Sequence, residues 1–227
     1  MKQRIFNTIL LISCISLFCS CKKDYADDGG ISDAHVNMTT YDYLKSKPIF
    51  SSLVTLIDRG GFKDQINGNI TFFATTNYGV DEYLKAMKNI RAAELGDENI
   101  TYTLDSIPMF RVDSLKTYMF DGNLGRENLS IKGKIYPSLY GEIPDVQFKI
   151  GLNRIFSYGS YVDYIDLVYY TKVIGTDDSQ EPDLSAIPDD QLDKSATVQS
   201  SGIITTTGVV HALDGYHRLF FNTDKID

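Results

Sequence analysis

Cysteine does not occur after residue 21 of this 227-residue chain, and tryptophan does not occur at all. The rest of the chain therefore offers no thiol for a disulfide, a structural zinc site or a nucleophile. Histidine is scarce as well, because the three present, His35, His211 and His217, are scattered and do not match the spacing of a metal site. Since nucleophile, metal and cofactor motifs are all missing, we expect no enzyme activity and no cofactor.

Basic residues are outnumbered, with 22 Lys and Arg against 30 Asp and Glu and a formal net charge of −8. Such a surface repels polyanions. The composition therefore argues against a nucleic-acid partner.

The N-terminus has the three regions of a secretory signal. Two basic residues come first, residues 9–18 are apolar, and the small residue Ser20 precedes Cys21. The apolar run is short of the roughly 20 residues that cross a bilayer. We predict a lipoprotein signal peptide over residues 1–20 and lipidation of Cys21, so that the chain is held at a membrane. Cleavage before Cys14 is the alternative, and it would leave an apolar stub after the lipid.

A polar segment follows the predicted lipid. Residues 21–38 show no apolar periodicity, which is typical of a flexible tether. Lys22, Lys23 and Asp24 also resemble the export signals of Bacteroidetes-type lipoproteins. We therefore expect an outer-membrane lipoprotein exposed at the cell surface, with the periplasmic face as the alternative.

Residues 39–222 are predicted to be one domain, with helices in its first half. A first helix is expected between Pro48 and Gly60, a second from Asn77, and a third, shorter one from Asp113 to Gly122. Their apolar residues recur three and four positions apart, at Phe50, Leu53, Val54 and Ile57, then at Val80, Tyr83, Leu84 and Met87, and finally at Leu115, Tyr118 and Met119.

The second half of this domain is rich in β-branched and aromatic residues. Strands are predicted over residues 129–136, 147–152, 164–173, 196–205 and 209–221. Helices followed by strands indicate an α+β fold with an antiparallel sheet.

Two segments resemble the motifs of the fasciclin family. Residues 70–80 read Ile-Thr-Phe-Phe-Ala-Thr-Thr-Asn-Tyr-Gly-Val, similar to a strand ending in Phe-Ala-Pro-Thr-Asn that runs into a helix. Residues 202–214 contain Gly-Val-Val-His-Ala-Leu-Asp, similar to the second motif, Asn-Gly-Val-Val-His-Val-Ile-Asp. The resemblance implies a fasciclin-like domain, a wedge-shaped sandwich of strands with N-terminal helices packed against it, that binds protein or glycan without a cofactor. It assigns structural roles to Phe73, Thr75, Thr76, Asn77, Gly208 and His211.

The chain departs from the family pattern at three places. Thr75 replaces the proline of the first motif, and Thr207 replaces the asparagine of the second. Asp121 and Gly122 stand where the family has a Tyr-His pair at the end of a helix. In animal members of the family the region around that pair is implicated in integrin contact. Because this chain lacks the pair, the resemblance does not imply that it binds integrins.

Physical chemistry gives the polar motif residues structural roles too. Thr75, Thr76 and Asn77 stand where a strand must turn into a helix, and their side chains are suited to accept the N–H groups of its first turn. His211 is expected to be buried in a strand and hydrogen-bonded to a loop.

Residues 175–195 carry seven Asp and Glu residues and are predicted to be a solvated insertion. Calcium binding there stays open, although the spacing lacks the alternating ligands and fixed glycine of a known calcium loop. Asp105-Ser106-Ile107 and Asp113-Ser114-Leu115 resemble the O-glycosylation sites of Bacteroidetes.

Tyrosines suggest a binding surface at one edge of the sheet. Period-two alternation along residues 164–173 assigns Ile165, Leu167, Tyr169 and Val173 to the core, and Tyr164, Asp166, Tyr170 and Lys172 to solvent. Tyr158 and Tyr161 flank a predicted turn. We predict a binding surface that consists of Tyr158, Tyr161, Tyr164 and Tyr170. The alternative is that these residues cover the sheet beneath the insertion.

These observations predict a membrane-anchored binding or adhesion module that recognises protein or glycan. An accessory structural subunit of an outer-membrane glycan-uptake complex is the alternative, and a glycan-processing enzyme comes third. Exposed aromatic side chains would favour a glycan, and a large apolar patch would favour a protein partner.

Overall fold

A computed structural model describes residues 34–156 and 162–222. The predicted signal peptide, Cys21 and most of the predicted tether lie outside these residues, as do Tyr158 and Tyr161. Within the described part of the chain, no helix is both long enough and apolar enough to span a bilayer.

Five α-helices fall in the first half of the described residues. Helix α2, Ser51–Gly60, is the first predicted helix, and it stops because Gly61 adopts the left-handed conformation at φ 67°. Helix α4, Asn77–Leu95, is the second predicted helix. The bounds are Thr40–Ser46 for α1, Ser51–Gly60 for α2, Lys63–Ile66 for α3, Asn77–Leu95 for α4 and Met109–Asp113 for α5.

The third predicted helix is wrong at its C-terminal end. A 3₁₀ turn, Ser114–Tyr118, continues α5, and the chain then becomes extended. Met119 and Phe120 are buried in a strand that pairs with a neighbour, so sheet pairing overrides the helical spacing. Asp121, aligned above with the end of a helix, is instead the last residue of this strand.

Seven strands of the described chain form one mixed sheet, in the order β2-β1-β7-β6-β5-β4-β3. Neighbours are antiparallel except β1 and β7, which are parallel. The predicted α+β class is confirmed, and the purely antiparallel sheet is corrected at this one pair. The strands are β1 Ile70–Ala74, β2 Met119–Asp121, β3 Lys134–Ile135, β4 Val146–Ile155, β5 Ile165–Ile174, β6 Lys194–Ile204 and β7 Gly208–Leu213.

Two predicted strands are much shorter in the structure. Within residues 129–136 only Lys134–Ile135 form a paired strand, and β7 ends at Leu213. Beyond β7 the chain turns, and within Leu219–Asn222 the residues Phe220 and Phe221 adopt left-handed backbone angles, at φ 61° and 58°. Apolar residues there are buried by this turn rather than by sheet pairing, which explains the strand-like pattern in the sequence.

The two motif segments form β1 and β7, which lie side by side. Ile70 faces Gly208 across the pair, and Phe73 faces His211. A Cβ atom at position 208 would collide with the Ile70 carbonyl oxygen, so glycine permits the close approach of the two strands. All five residues of β1 are buried, and Phe72 and Phe73, which point to opposite faces, are both 0% exposed. The core therefore covers both faces of the sheet at β1.

The predicted tether is not free over its last residues. The Val36 amide donates to the Ile204 carbonyl at 2.8 Å, and the Ile204 amide donates to Ala34 at 2.8 Å. The Thr206 amide donates to the Met38 carbonyl at 3.0 Å. Backbone hydrogen bonds of the domain thus include Ala34, which lies ahead of the predicted boundary at residue 39.

Candidate functional site

Charged side chains join β4 and β5 near the end of their hairpin. Arg154 and Asp166 face each other across the pair. The guanidinium Nε donates to one carboxylate oxygen at 2.7 Å and an Nη donates to the other at 2.8 Å. This two-pronged hydrogen bond lowers the pKa of Asp166 and raises the pKa of Arg154. Arg154 is therefore held in one orientation.

The fixed guanidinium lies against an aromatic pair. Its central carbon is 3.6 Å from the centroid of the Tyr164 ring, and the Phe156 ring lies edge-on to Tyr164 at 6.4 Å. Phe156 is 67% exposed, and Tyr164 and Val162 are each 45% exposed. We call Arg154, Phe156, Val162 and Tyr164 the hairpin-end surface.

Only one of the four predicted binding tyrosines lies on this surface among the described residues. Tyr164 is exposed as predicted, and Phe156, for which the sequence pattern predicted no role, lies beside it. The signal that could have found Phe156 is its place opposite Tyr164 at the end of two paired strands. Tyr158 and Tyr161 lie outside the described residues.

The prediction for Tyr170 is wrong, because this residue is 0% exposed. Its hydroxyl donates to the Thr117 carbonyl at 2.7 Å, and its ring stacks on Phe73 at 4.7 Å. Burial raises the pKa of the Tyr170 hydroxyl. The predicted alternation in β5 is reversed at Val168 and Tyr170, which face the core, while Tyr169 is half-buried on the other face. Val173 is buried as predicted. Both faces of β5 are partly covered, so the sequence pattern did not distinguish them.

His211 is buried with both ring nitrogens hydrogen-bonded. A bulge in β6 directs the Gly202 amide at Nδ1, 3.1 Å away, so Nε2 carries the proton and donates to the Leu124 carbonyl at 3.0 Å. The ring also stacks on Phe73 at 4.9 Å. Burial lowers the pKa of His211 to about 4. The expected burial and loop contact are present, and neither nitrogen is left for a ligand.

A second buried histidine was not expected from the sequence. The Phe220 amide donates to the Tyr118 hydroxyl oxygen at 2.7 Å, and that hydroxyl is hydrogen-bonded to Nε2 of His217 at 2.9 Å. Burial lowers the pKa of His217 to about 3 and raises the pKa of Tyr118. Because 99 positions separate Tyr118 from His217, no local pattern could have revealed the pair.

The capping roles predicted at the start of α4 are corrected. Thr76 is the N-cap residue of α4, and its side chain makes no capping hydrogen bond. Asn77 caps the neighbouring helix instead, because its Oδ1 accepts from the Ser52 amide in the first turn of α2 at 3.0 Å. Its Nδ2 donates to the Pro48 carbonyl at 2.9 Å, so Asn77 ties α4 to α2.

The acidic insertion is held by its own carboxylates. Asp193 accepts the amides of Ile174 and Asp178 at 3.0 Å, and the Asp193 amide donates to Asp178 at 2.8 Å. Asp177 pairs with Lys149 on β4 at 2.7 Å. No group of three or more His, Cys, Asp or Glu side chains in residues 34–156 and 162–222 is arranged to hold a metal ion.

The two candidate glycosylation serines differ in exposure. Ser106 is exposed, and its hydroxyl accepts the Thr103 amide at 3.0 Å. Ser114 is half-buried, and its hydroxyl donates to the Phe110 carbonyl at 3.3 Å. Ser106 is therefore the more accessible of the two.

One solved structure similar to this chain is a FAS1 domain pair from the insect cell adhesion molecule fasciclin I, with 16% sequence identity and a TM-score of 0.49. The match covers 83% of this chain and 53% of that one, so the chain spans about half the length of the domain pair. No protein-family model and no curated protein matches the sequence.

Proposed function

We propose that this chain is a membrane-anchored binding module of the cell envelope and that its hairpin-end surface contacts a protein partner. The observation that supports the proposal is the exposed Phe156–Tyr164 pair with Arg154 fixed against it. The partner is proposed to be a protein because Phe156 and Val162 add exposed apolar area that has no polar group.

The composition of this surface suits a contact region. Aromatic residues and arginine are enriched at the centres of protein interfaces, where a few buried side chains supply most of the binding free energy. Arg154 is already held by Asp166, so little side-chain freedom remains to be lost when a partner binds. Tyr164 loses few rotamers for the area it buries.

A binding role fits the buried histidines better than catalysis does. Both nitrogens of His211 are occupied by hydrogen bonds, and His217 is bound to Tyr118. Their lowered pKa values keep both rings neutral at physiological pH. A general base needs access to a substrate and a pKa near the working pH, and neither ring offers both.

The proposed location is the outer membrane, with the lipid on Cys21 and the domain facing the cell exterior. The support is the N-terminal sequence pattern, whose apolar run is too short to span a bilayer. In the alternative form of the proposal, the chain is an accessory structural subunit of an outer-membrane glycan-uptake complex, and its protein partner is another component of that complex.

Affinity capture from detergent-solubilised envelopes tests the binding role. The lipoprotein should retain a partner that is lost when Phe156→Ala and Tyr164→Ala are combined. Tyr216→Ala is the matched control, because Tyr216 is 95% exposed and lies outside the hairpin-end surface. Equal recovery of every co-purifying protein by the double variant and by the wild type would contradict the proposal.

A further inference from the structure

A polar cleft of about 500 Å³ lies on the outer face of the sheet, across β4, β5 and β6. Side chains alternate between the two faces of a strand, so the cleft residues Asn153 and Tyr169 lie on the opposite face from Arg154 of the hairpin-end surface and its partner Asp166. The cleft is therefore a separate surface. Its volume is within the range of roughly 300 to 1,000 Å³ that is typical of small-molecule sites.

Tyr169 forms the aromatic part of the cleft floor. It faces Gly151 on β4 and Thr197 on β6. A Cβ atom at Gly151, or at Gly133 beside it, would collide with the Tyr169 hydroxyl, so the ring lies across the space that these two glycines leave open. A ring that lies over a glycine can present its other face to a ligand.

Polar side chains surround this ring. Asn153 and Thr197 are exposed on the floor, and Thr171 and Ser195, whose hydroxyls are hydrogen-bonded to each other, line it as well. Residues 177–179 and 193 of the acidic insertion form the wall, where Asp178 and Asp193 accept each other's amides at 2.8 and 3.0 Å. A carboxylate has about four acceptor positions, so these side chains keep acceptor capacity for further donors.

The charge of the cleft narrows the class of ligand. Three carboxylates line it, those of Asp177, Asp178 and Asp193, and one cation, Lys149, is paired with Asp177. Such a site repels carboxylates, sulfates and phosphates. It favours a ligand that donates many hydrogen bonds and has an apolar face to place on an aromatic ring.

We propose that this cleft binds a neutral oligosaccharide, with one sugar ring stacked on Tyr169 and sugar hydroxyls bound by Asn153 and the carboxylates of the wall. Sugar rings combine C–H faces with hydroxyl groups around their edge, and the cleft combines an aromatic ring with surrounding acceptors. This inference is independent of the hairpin-end surface, because it rests on other side chains and on the opposite face of the sheet.

The test uses immobilised neutral gluco-, manno-, galacto- and xylo-oligosaccharides, with oligogalacturonides as the acidic comparison, followed by calorimetric titration of the retained sugar. The wild type should retain at least one neutral oligosaccharide and none of the acidic ones. Thr197→Trp should fill the cleft and weaken binding by about tenfold or more, a factor that corresponds to about 1.4 kcal/mol. Asn153→Ala removes a hydrogen-bonding group with little loss of packing, and it should weaken binding by about fivefold.

Gln199→Trp is the matched control, because Gln199 is exposed on the same strand, beyond the end of its pairing with β5. It should bind like the wild type. Failure to retain any neutral oligosaccharide would overturn the proposal, as would a preference for the acidic series. Full affinity in Asn153→Ala together with full affinity in a folded Thr197→Trp would also overturn it.

Discussion

Mild acid should destabilise this domain through its two buried histidines. Burial lowers the pKa of His211 from 6.5 to about 4 and the pKa of His217 from 6.5 to about 3. As the pH falls below 6.5, the unfolded chain takes up protons at these positions before the folded chain does. The full free energy of unfolding is therefore present above pH 6.5. It decreases progressively as the pH falls toward the pKa values of the two histidines in the folded chain.

The size of the effect follows from these two shifts. A pH of 5 lies about 1.5 units below the pKa of a histidine in the unfolded chain, whereas both histidines of the folded chain are still neutral at that pH. Each pH unit of this difference changes the unfolding free energy by about 1.4 kcal/mol. Each histidine should then cost about 2 kcal/mol of unfolding free energy, or about 4 kcal/mol together. Carboxylates whose pKa values lie below 3.8, such as those of Asp166 and Asp177, lose their contribution at lower pH.

Urea unfolding at pH 7.5 and pH 5.0 measures this loss. His211→Gln and His217→Gln should each remove about half of the pH dependence, whatever they do to stability at pH 7.5. If the unfolding free energy of the wild type decreases by less than about 1 kcal/mol between pH 7.5 and pH 5.0, the reasoning is refuted. It is also refuted if His211→Gln and His217→Gln both show the same decrease as the wild type.

Three further predictions concern the core, the helix contact and the anchor. Phe73→Ala should cost about 3 to 5 kcal/mol in urea unfolding because its ring contacts Phe120, Tyr170 and His211, and a neutral effect would exclude it from the core. Asn77→Ala should cost about 1 to 2 kcal/mol, because it leaves the Ser52 amide without its cap, whereas no change would deny the bridge between α2 and α4. Cys21→Ala should abolish fatty-acid labelling and release the protein from membranes, and continued labelling would indicate lipidation at Cys14.

Local patterns in the sequence predicted the main elements of the fold. Helix α2 has an apolar stripe followed by a glycine that must adopt positive φ, and both features are visible in the sequence. The motif segments of β1 and β7 were predicted as strands, but their parallel pairing joins residues about 138 positions apart and leaves no local signal. The strand at Met119 was missed for the same reason, because its partner lies in β1.

The candidate site was predicted less completely. Alternation along β5 failed because both of its faces are partly covered, so Tyr170 was assigned to solvent and is buried. Asn77 was recognised as a capping residue, but the helix that it caps lies next to it in space rather than after it in the chain. The cleft around Tyr169 arises from three paired strands and two distant glycines, and no short sequence window contains them.

Photocrosslinking in intact cells tests the proposed contact surface most directly. A photoreactive amino acid placed at Tyr164 should crosslink to a defined envelope protein, because this residue is proposed to lie at the centre of the interface. The same group at Tyr216, which is exposed but lies outside the hairpin-end surface, should not crosslink to that protein. Equal crosslinking from both positions, or none from position 164 in cells that contain the mature protein, would contradict the proposed binding role of the hairpin-end surface.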